Sequence, residues 1–290
     1  MADNALLRRL ETYYDAVPRG RADPQEIGPF TLFVARSGWP YYARPRLGDD
    51  AGATVGDLRR VLERQRQLEV PLSFEWVDET TPGLEAVAVE AGLTVERCPL
   101  LVLDGEPRGD AGTARMLGPG EGRDLALSRA AISVGFETGG TSTGSEGVAA
   151  RDTMLGTGFA VVDDEVERRL GAGAIRAAAC YPSEQPDLGP VGGGSHAPVD
   201  EVTEIAGVGV LPAFRRRGLA AAVTFVLARD ALDNGVTTVF CSAQSRDVAR
   251  IYERVGFRAV ATACIGSYED ADGGLRLSTA RAPGSSASTG

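Results

Sequence analysis

The sequence contains no lysine, and all 30 of its basic residues are arginine. This absence excludes a lysine nucleophile, Schiff-base catalysis and a Walker A phosphate loop, which needs Gly-Lys followed by Ser or Thr. Since His196 is the single histidine, a metal site built from several histidines is excluded as well, and we expect no metal. The net charge of −10 and the pI of about 4.8 argue against a nucleic-acid-binding surface.

Cysteines and long apolar runs are also scarce. The four cysteines, Cys98, Cys180, Cys241 and Cys264, form no C-x-x-C pair and lie in apolar, strand-like surroundings. We therefore predict buried, reduced thiols. No apolar run approaches the ~20 residues of a membrane span, and the first residues lack the apolar core of a signal peptide. These absences predict a cytoplasmic protein without membrane contact.

The 290 residues are enough for two modest domains. A polar, turn-rich segment at 104–112, with the sequence DGEPRGDAG, predicts a linker between them. We predict a first domain at 1–108 and a second at 113–281. The Gly- and Ser-rich end at 282–290 predicts a disordered tail.

In the first domain, the apolar periodicity predicts a mixture of helices and strands. Thr54 is expected to cap a helix, and Pro99 inside a strand suggests an edge position or a bulge. The predicted helices are 3–16, 54–67 and 82–91, and the predicted strands are 30–35, 41–44, 72–77 and 93–103.

The second domain has the same mixed character, with more elements. Its predicted strands are 114–117, 158–163, 171–181, 202–211, 236–242 and 257–268, and its predicted helices are 121–134, 146–155, 215–233 and 245–255. Two loops rich in glycine, at 138–144 and 182–200, separate these elements. Because loops as long as the second are usually functional or disordered, we expect it to take part in binding.

The junction at 210–220, with the sequence VLPAFRRRGLA, is the most informative stretch of the chain. It joins an apolar strand to a predicted helix whose first turn would hold Arg215, Arg216 and Arg217. Cations are unfavourable at a helix N-terminus, and the N–H groups there lack partners. A bound phosphate or pyrophosphate would resolve both problems, and Gly218 would let it approach closely.

Two motifs in this half resemble one known family. Arg215-x-x-Gly218-x-Ala220, preceded by Val208-x-Val210-x-Pro212, resembles the acyl-CoA-binding motif of the GNAT superfamily of N-acetyltransferases. The run Ile251-Tyr252-Glu253-Arg254-x-Gly256-Phe257, which follows Ser245, is similar to the family's next helix and strand. The resemblance covers about 113–270. It implies a mixed α/β fold, the GNAT acyl-CoA N-acyltransferase fold.

The first half has a weak sequence similarity to the second. Residues 88–95 and 252–259 both predict a helix end, a glycine stop and the start of a long strand. The first half has no equivalent of the phosphate loop. We therefore expect it to be a smaller, degenerate GNAT-like domain, as in tandem members of the family.

The resemblance also implies acetyl-CoA as the donor and a set of residues that bind it. Backbone N–H groups from Arg216 to Ala220 would hold the pyrophosphate, and the strand edge at Val208 and Val210 would pair with the pantetheine arm. An N–H group near Val210 could polarise the thioester carbonyl. The implied cofactor-binding residues are Val208, Val210, Arg215, Arg216, Arg217, Gly218, Leu219, Ala220 and Ser245.

Direct attack by an amine, without a covalent enzyme intermediate, is what the resemblance implies for the reaction. Tyr252 would protonate the departing thiolate, or it is a packing tyrosine. Glu204, in the strand before the junction, is the first candidate for the base, unless it is an ordinary exposed carboxylate. His196 is the second candidate, and Glu137 could hold a cationic acceptor. Cys241 is expected to be a strand residue rather than a nucleophile.

These expectations combine into an acetyl-CoA-dependent N-acetyltransferase that acts on a primary amine of a small molecule, as a monomer or homodimer. The negative charge of the protein would attract a cationic amine. Two alternatives stay open. The chain could acetylate a protein or peptide N-terminus, or it could be a non-catalytic acyl-CoA-binding or sensor module in which the first half regulates the second.

Overall fold

The computed structural model describes residues 4–36, 40–48 and 52–268, and the predicted tail at 282–290 lies outside them. The strands are β1 (Ala22–Ile27), β2 (Phe30–Ala35), β3 (Ala43–Pro45), β4 (Ser73–Val77), β5 (Thr94–Leu103), β6 (Ala114–Leu117), β7 (Arg176–Cys180), β8 (Gly192–His196), β9 (Val202–Val210), β10 (Thr238–Ser242) and β11 (Phe257–Ser267). The helices are α1 (Asn4–Arg19), α2 (Val55–Gln67), α3 (Leu84–Glu90), α4 (Gly122–Glu137), α5 (Val148–Thr153), α6 (Asp164–Gly171), α7 (Leu219–Asp233) and α8 (Arg246–Val255). No helix within these residues is both long and apolar enough to cross a membrane.

One mixed sheet contains all of these strands, in the order β1-β2-β3-β4-β11-β5-β10-β9-β8-β7-β6. The predicted mixed α/β class is therefore confirmed. The order is nearly symmetric about its centre, because β3–β4 and β9–β10 are both parallel pairs and β5 and β11 pair antiparallel between them. Thr94 lies opposite Ser267, and Leu103 lies opposite Phe257.

This symmetry explains the sequence similarity between 88–95 and 252–259. The two segments lead into β5 and β11, and each of these strands lies among the strands of the other half. The domain boundary between 108 and 113 stays a prediction, but the sheet runs across it without a break. Residues of the first half are thus able to reach a site in the second.

Helices cover both faces of the central strands. On one face, α7 and α8 pack over a core that includes Leu101, Val239 and Cys241. On the other face, Leu10, Tyr13 and Tyr14 of α1 pack over Leu100 and Phe240. Because neighbouring residues of a strand point to opposite faces, Leu100 and Leu101 serve different cores and are both fully buried. All four cysteines are buried and unpaired, as predicted.

Most predicted elements of the first half lie within a few residues of the observed ones. Thr54 caps α2 as predicted, since its hydroxyl accepts the Asp57 N–H and the Asp57 carboxylate accepts the Thr54 N–H. Strand β1 was not predicted. An edge position for Pro99 is wrong, because β5 lies between β11 and β10. A bulge does occur nearby, but in the partner strand: the register of β11 shifts between Ala259 and Ala261, whereas Pro99 pairs in register with Thr262.

Three predicted segments that precede β9 differ from the structure. The predicted strand 171–181 is shorter and spans Arg176–Cys180, because α6 extends to Gly171. Residues 158–163 form a 3-10 turn (Gly158–Ala160) rather than a strand, and the unpredicted helix α6 follows, capped by the Asp163 carboxylate. The predicted loop at 182–200 contains the buried strand β8. Its glycines allow close packing, because a Cβ on Gly193 would clash with Ser128 Oγ of α4.

Candidate active site

The arginine-rich segment precedes helix α7 instead of opening it. After β9 the chain forms a 3-10 turn (Pro212–Phe214), passes through Arg215, Arg216 and Arg217, and enters α7 at Leu219 with Gly218 as the N-cap. The prediction of a helix from Arg215 is therefore wrong. Gly218 has φ +81° and provides no side-chain cap. The N–H groups of the first turn remain open to an external anion.

Arg215 has a partner that the local sequence does not show. Its guanidinium donates to the carbonyls of Gly135, Gly139 and Ser142, at 2.6, 2.8 and 3.0 Å, and to that of Val210. The first two carbonyls lie at and just beyond the C-terminal end of α4, where positive charge is favourable. The charge that looked misplaced before α7 thus stabilises the end of α4 and the loop at 138–144.

Arg216 and Arg217 are exposed. Arg216 has φ +66°, an uncommon conformation for a residue other than glycine, so the loop is held in an unusual shape in front of α7. Arg217 lines a cleft of about 390 Å³ together with Gly218, Arg108 and Arg254. Asp110 is the one carboxylate in this lining. The cleft therefore offers concentrated positive charge beside uncapped helix N–H groups on a protein of net charge −10.

Strands β9 and β10 pair over only part of their length. Their parallel pairing is limited to three positions and ends where Glu204 faces Phe240. From Ile205 to Val210, β9 pairs with β8 on its other edge, and Gly207 has φ +65° at an irregularity in that pairing. In the described part of the chain, the edge of β9 that carries Val208 and Val210 has no strand partner beyond Glu204. An extended ligand with amide groups fits such an edge.

Glu204 lies at the point of separation, on the face that α1 covers. The Tyr14 hydroxyl donates to Glu204 Oε1 at 3.0 Å, and Ser242 Oγ lies 3.5 Å from the same oxygen. Burial and, to a smaller extent, the nearby Glu75 carboxylate raise the pKa of Glu204 from its ordinary 4.5 to about 8. Glu204 is therefore no ordinary exposed carboxylate, and its pKa suits a proton acceptor near neutral pH.

Tyr252 belongs to α8, on the opposite face of the sheet, and is part of the core there with 5% of its surface exposed. Its ring packs edge-on against Phe257, with 6.0 Å between centroids. Burial raises the pKa of Tyr252, and the neighbouring Cys241 and Glu204 raise it further, so the phenol stays protonated. The packing role is thus real, and a protonated phenol is also what an acid requires. Burial likewise raises the pKa of the Cys241 thiol, which disfavours a nucleophilic thiolate.

His196 does not lie in a loop, as predicted, but in strand β8, where it is buried. Its Nδ1 lies 3.1 Å from Thr203 Oγ1, and its Nε2 lies 2.9 Å from Asp230 Oδ2. Asp230 also accepts hydrogen bonds from Arg176. Because both ring nitrogens are engaged inside the protein, neither is placed to receive a proton from an acceptor amine.

The other predicted positions are found at the edges of this site. Ser245 is the N-cap of α8, and its Oγ accepts the Val248 N–H at 3.3 Å. Glu137 is exposed at the end of α4. A larger cleft of about 530 Å³ lies between α4, α5 and the 3-10 turn Pro186–Leu188. Its Asp124 already accepts a hydrogen bond from Tyr181, and the cleft is lined by neither β9 nor the start of α7.

Sequence reasoning missed four groups at the site. Arg108 and Arg254 line the cationic cleft, and Tyr14 and Ser242 contact Glu204. Arg254 is part of the motif that follows Ser245, and Arg108 is the cation of the polar segment at 104–112, so both carried a signal. Tyr14 lies 190 residues before Glu204 in the chain, and no local pattern connects the two.

Comparisons with known proteins find similarity in sequence and in fold. Residues 162–257 match the model of the Acetyltransferase (GNAT) family, a segment that includes β9, the arginine-rich loop and α8. A GCN5-related N-acetyltransferase from Kribbella flavida superposes with a TM-score of 0.63 at 25% identity, over 91% of this chain and 96% of that protein. No curated protein matches the chain significantly.

Two further solved structures share the fold. A GCN5-related N-acetyltransferase-like protein from Streptococcus suis 89/1591 has a TM-score of 0.52 at 13% identity, over 91% of this chain and 98% of that one. A GCN5-related N-acetyltransferase from Sphaerobacter thermophilus has a TM-score of 0.50 at 18% identity, over 83% and 81%. These matches extend across both halves of the chain.

Proposed function

We propose, on the premise that this chain is an acyltransferase of the GNAT family, that it transfers the acetyl group of acetyl-CoA to a primary amine of a small molecule. One observation carries the proposal. The separation of β9 from β10 places an unpaired strand edge between the uncapped start of α7 and the partly buried carboxylate of Glu204. An acyl donor bound on one face of the sheet and an amine acceptor on the other face can therefore come into contact at the gap between β9 and β10.

The donor end of this site suits the pyrophosphate and pantetheine of CoA. Backbone N–H groups from Arg216 to Ala220 would hold the pyrophosphate, and Arg108, Arg217 and Arg254 would supply positive charge. The edge at Val208 and Val210 would pair with the amides of the pantetheine arm. Acetyl-CoA supplies the activated acyl group when bound. In this arrangement Arg215 acts indirectly, by fixing the loop that precedes Gly218.

Glu204 and Tyr252 divide the proton transfers between the two faces of the sheet. Glu204 accepts a proton from the acceptor ammonium, directly or through water, so that the neutral amine attacks the thioester carbonyl. The C–N bond forms as the C–S bond breaks, and Tyr252 gives its proton to the departing sulfur. The second proton that the nitrogen loses on becoming an amide returns to the Tyr252 oxygen, directly or through water. The net charge of −10 would attract a cationic amine. The cytoplasm as the compartment remains a prediction.

Substitutions at Glu204 and Tyr252 test the hypothesis that these residues act as the catalytic base and acid. CoA-thiol release is measured with a panel of small amines and short peptides and with several acyl-CoAs. We expect Glu204→Gln and Tyr252→Phe each to lower kcat by about 10²-fold or more, the usual range for a lost acid or base. Glu201→Gln, at an exposed carboxylate beside β9, serves as the control.

The panel also separates the alternatives. Turnover with peptides and not with small amines would replace the small-molecule acceptor by a protein N-terminus. Tight CoA binding without thiol release from any acceptor would favour a binding or sensor module. Unchanged turnover in both Glu204→Gln and Tyr252→Phe would refute their assigned roles.

Gly218→Glu tests the donor site. Gly218 has φ +81°, so any side chain is strained there, and a carboxylate would repel phosphate. We expect CoA binding, measured by calorimetry, to be abolished. Gly235→Glu is a matched control, because Gly235 follows the other end of α7 with φ +85°, and a Cβ on either glycine meets no atom within 4 Å. Unchanged CoA affinity in Gly218→Glu would contradict the proposed donor site.

A further inference from the structure

We infer that the first half of the chain completes the catalytic site of the second, with Tyr14 as a positioning residue that orients the carboxylate of Glu204 and the Arg44–Glu75 ion pair as the charge that sets its environment. The inference rests on the proposed function, in which Glu204 receives the proton of the acceptor. It assigns a role to a half that has no phosphate loop of its own.

Tyr14 is fixed by the residue that also faces Glu204. Its ring packs edge-on against Phe240 with 5.3 Å between centroids and an angle of 89°, and Phe240 is the register partner of Glu204. The ring is 7% exposed, and its hydroxyl donates to Glu204 Oε1 at 3.0 Å. A carboxylate held by a buried, rigid donor keeps one orientation, which is what a base needs for efficient proton transfer.

Arg44 and Glu75 form the next layer. The Arg44 guanidinium lies 3.8 Å from the centre of the Tyr14 ring, and its Nη1 is 2.5 Å from Glu75 Oε2. Both side chains are largely buried, at 7% and 13% exposure. Arg44 Nη2 is buried without a hydrogen-bond partner, 4.0 Å from the carboxylate of Glu11. Strands β3 and β4 of the first half thus bring an ion pair to the back of the Tyr14–Glu204 contact.

The charged groups around Glu204 act in opposite directions. The hydrogen bond from Tyr14, the positive charge of Arg44 and the Ser242 contact favour the ionised carboxylate, whereas burial and the negative charge of Glu75 oppose it. The other titratable groups near this cluster come from five directions, namely Glu11 and Tyr13 of α1, Tyr42 before β3, Glu96 and Cys98 of β5, Cys241 of β10 and Tyr252 of α8.

These signs give two substitutions with opposite outcomes in the pH profile of kcat/KM. Tyr14→Phe keeps the ring but removes a donor from the carboxylate, so the half-maximal pH should rise by about one, which is tenfold in proton affinity. Glu75→Gln removes the opposing charge and frees Arg44 to act on Glu204, so the half-maximal pH should fall by about one.

Tyr13→Phe is the matched control. Tyr13 adjoins Tyr14 on α1 and packs against the same Phe240 ring at 5.2 Å, but its hydroxyl donates to the Ala197 carbonyl at 2.8 Å. We expect its profile to match that of the unmodified protein. A profile for Tyr14→Phe that coincides with that of Tyr13→Phe would overturn the inference, and so would shifts of Tyr14→Phe and Glu75→Gln in the same direction.

Glu204→Gln separates failure of this inference from failure of the proposed function. If Glu204→Gln keeps full activity, Glu204 is not the base and the proposed function fails at that residue. If it loses activity while Tyr14→Phe keeps the original profile, only the positioning role fails. Carboxyl ¹³C NMR titration of glutamate-labelled protein, assigned with Glu204→Gln, gives the same upward and downward shifts without any acceptor, and shifts of other signs would overturn the inference.

Discussion

Glu204→Gln should change how the stability of the protein depends on pH. Burial and the nearby Glu75 raise the pKa of Glu204 from its ordinary 4.5 to about 8 in the folded protein. The folded state therefore binds more protons than the unfolded state between these values. Stability from this group is fully present below pH 4.5 and is lost as the pH rises towards 8. Glutamine keeps the shape and an oxygen for Tyr14, but it has no proton to lose.

The size of the effect follows from the two pKa values. Each pKa unit corresponds to 1.36 kcal/mol, so the full difference amounts to about 5 kcal/mol. Between pH 5.5 and 8, which keeps clear of the pI of about 4.8, the expected change is about 3 kcal/mol. The free energy of unfolding of the unmodified protein should fall by this amount relative to Glu204→Gln across the interval.

Urea unfolding at several pH values measures this difference directly. The m-value should be the same for both proteins, so that the midpoints report stability alone. Glu201→Gln accounts for the removal of one exposed carboxylate from an acidic protein. A free-energy difference between Glu204→Gln and the unmodified protein that stays constant from pH 5.5 to 8 would show that the pKa of Glu204 is not raised in the folded protein. So would a difference that changes in the opposite direction.

Two other predictions concern side chains whose roles the structure reassigns. Arg215→Lys keeps the charge but cannot span the carbonyls of Gly135, Gly139 and Ser142, so hydrogen exchange in the loop at 138–144 should become faster, while Arg216→Lys should leave it unchanged. His196→Asn should lower stability in urea by about 2–4 kcal/mol and leave the pH profile of kcat/KM in place. A shifted pH profile would indicate that His196, and not only Glu204, is a candidate for the catalytic base.

The sequence was informative where function depends on a local segment. The run at 210–220 placed the loop before α7, because that loop is short and its glycine and proline are needed locally. Its helix start was wrong for a physical reason. Three of the four carbonyl partners of Arg215 lie 73 to 80 residues earlier, and only the fold brings the end of α4 to that side chain.

Long-range contacts also explain why the residues around Glu204, the proposed catalytic base, could not be predicted from the sequence. Glu204 was named from its place in the strand before the loop, but its environment comes from Tyr14, Arg44 and Glu75 in the first half. Strand β8 was missed because its run of glycines has the composition of a loop. Those glycines are required by close packing. A Cβ on Gly192 would clash with the backbone of β9, and a Cβ on Gly193 would clash with the Ser128 side chain of α4 and the Ala178 carbonyl of β7.

Strand β5 of the first half lies between two strands of the second, and β11 of the second half lies between two strands of the first. This arrangement predicts that neither half folds alone. Residues 113–290 would lack β5, so β10 and β11 would lose the strand that pairs with both. They would also lose their contacts with Leu100 and Leu101 of β5, whose burial in the intact chain contributes roughly 2 kcal/mol each. We expect 1–112 and 113–290 to be insoluble or unfolded separately and to form a soluble pair when produced together. Since the cut falls in the polar segment at 104–112, it breaks no element of the sheet. Cooperative unfolding of isolated 113–290 would show instead that the second half folds independently, and turnover by that fragment would show that Glu204 acts without Tyr14.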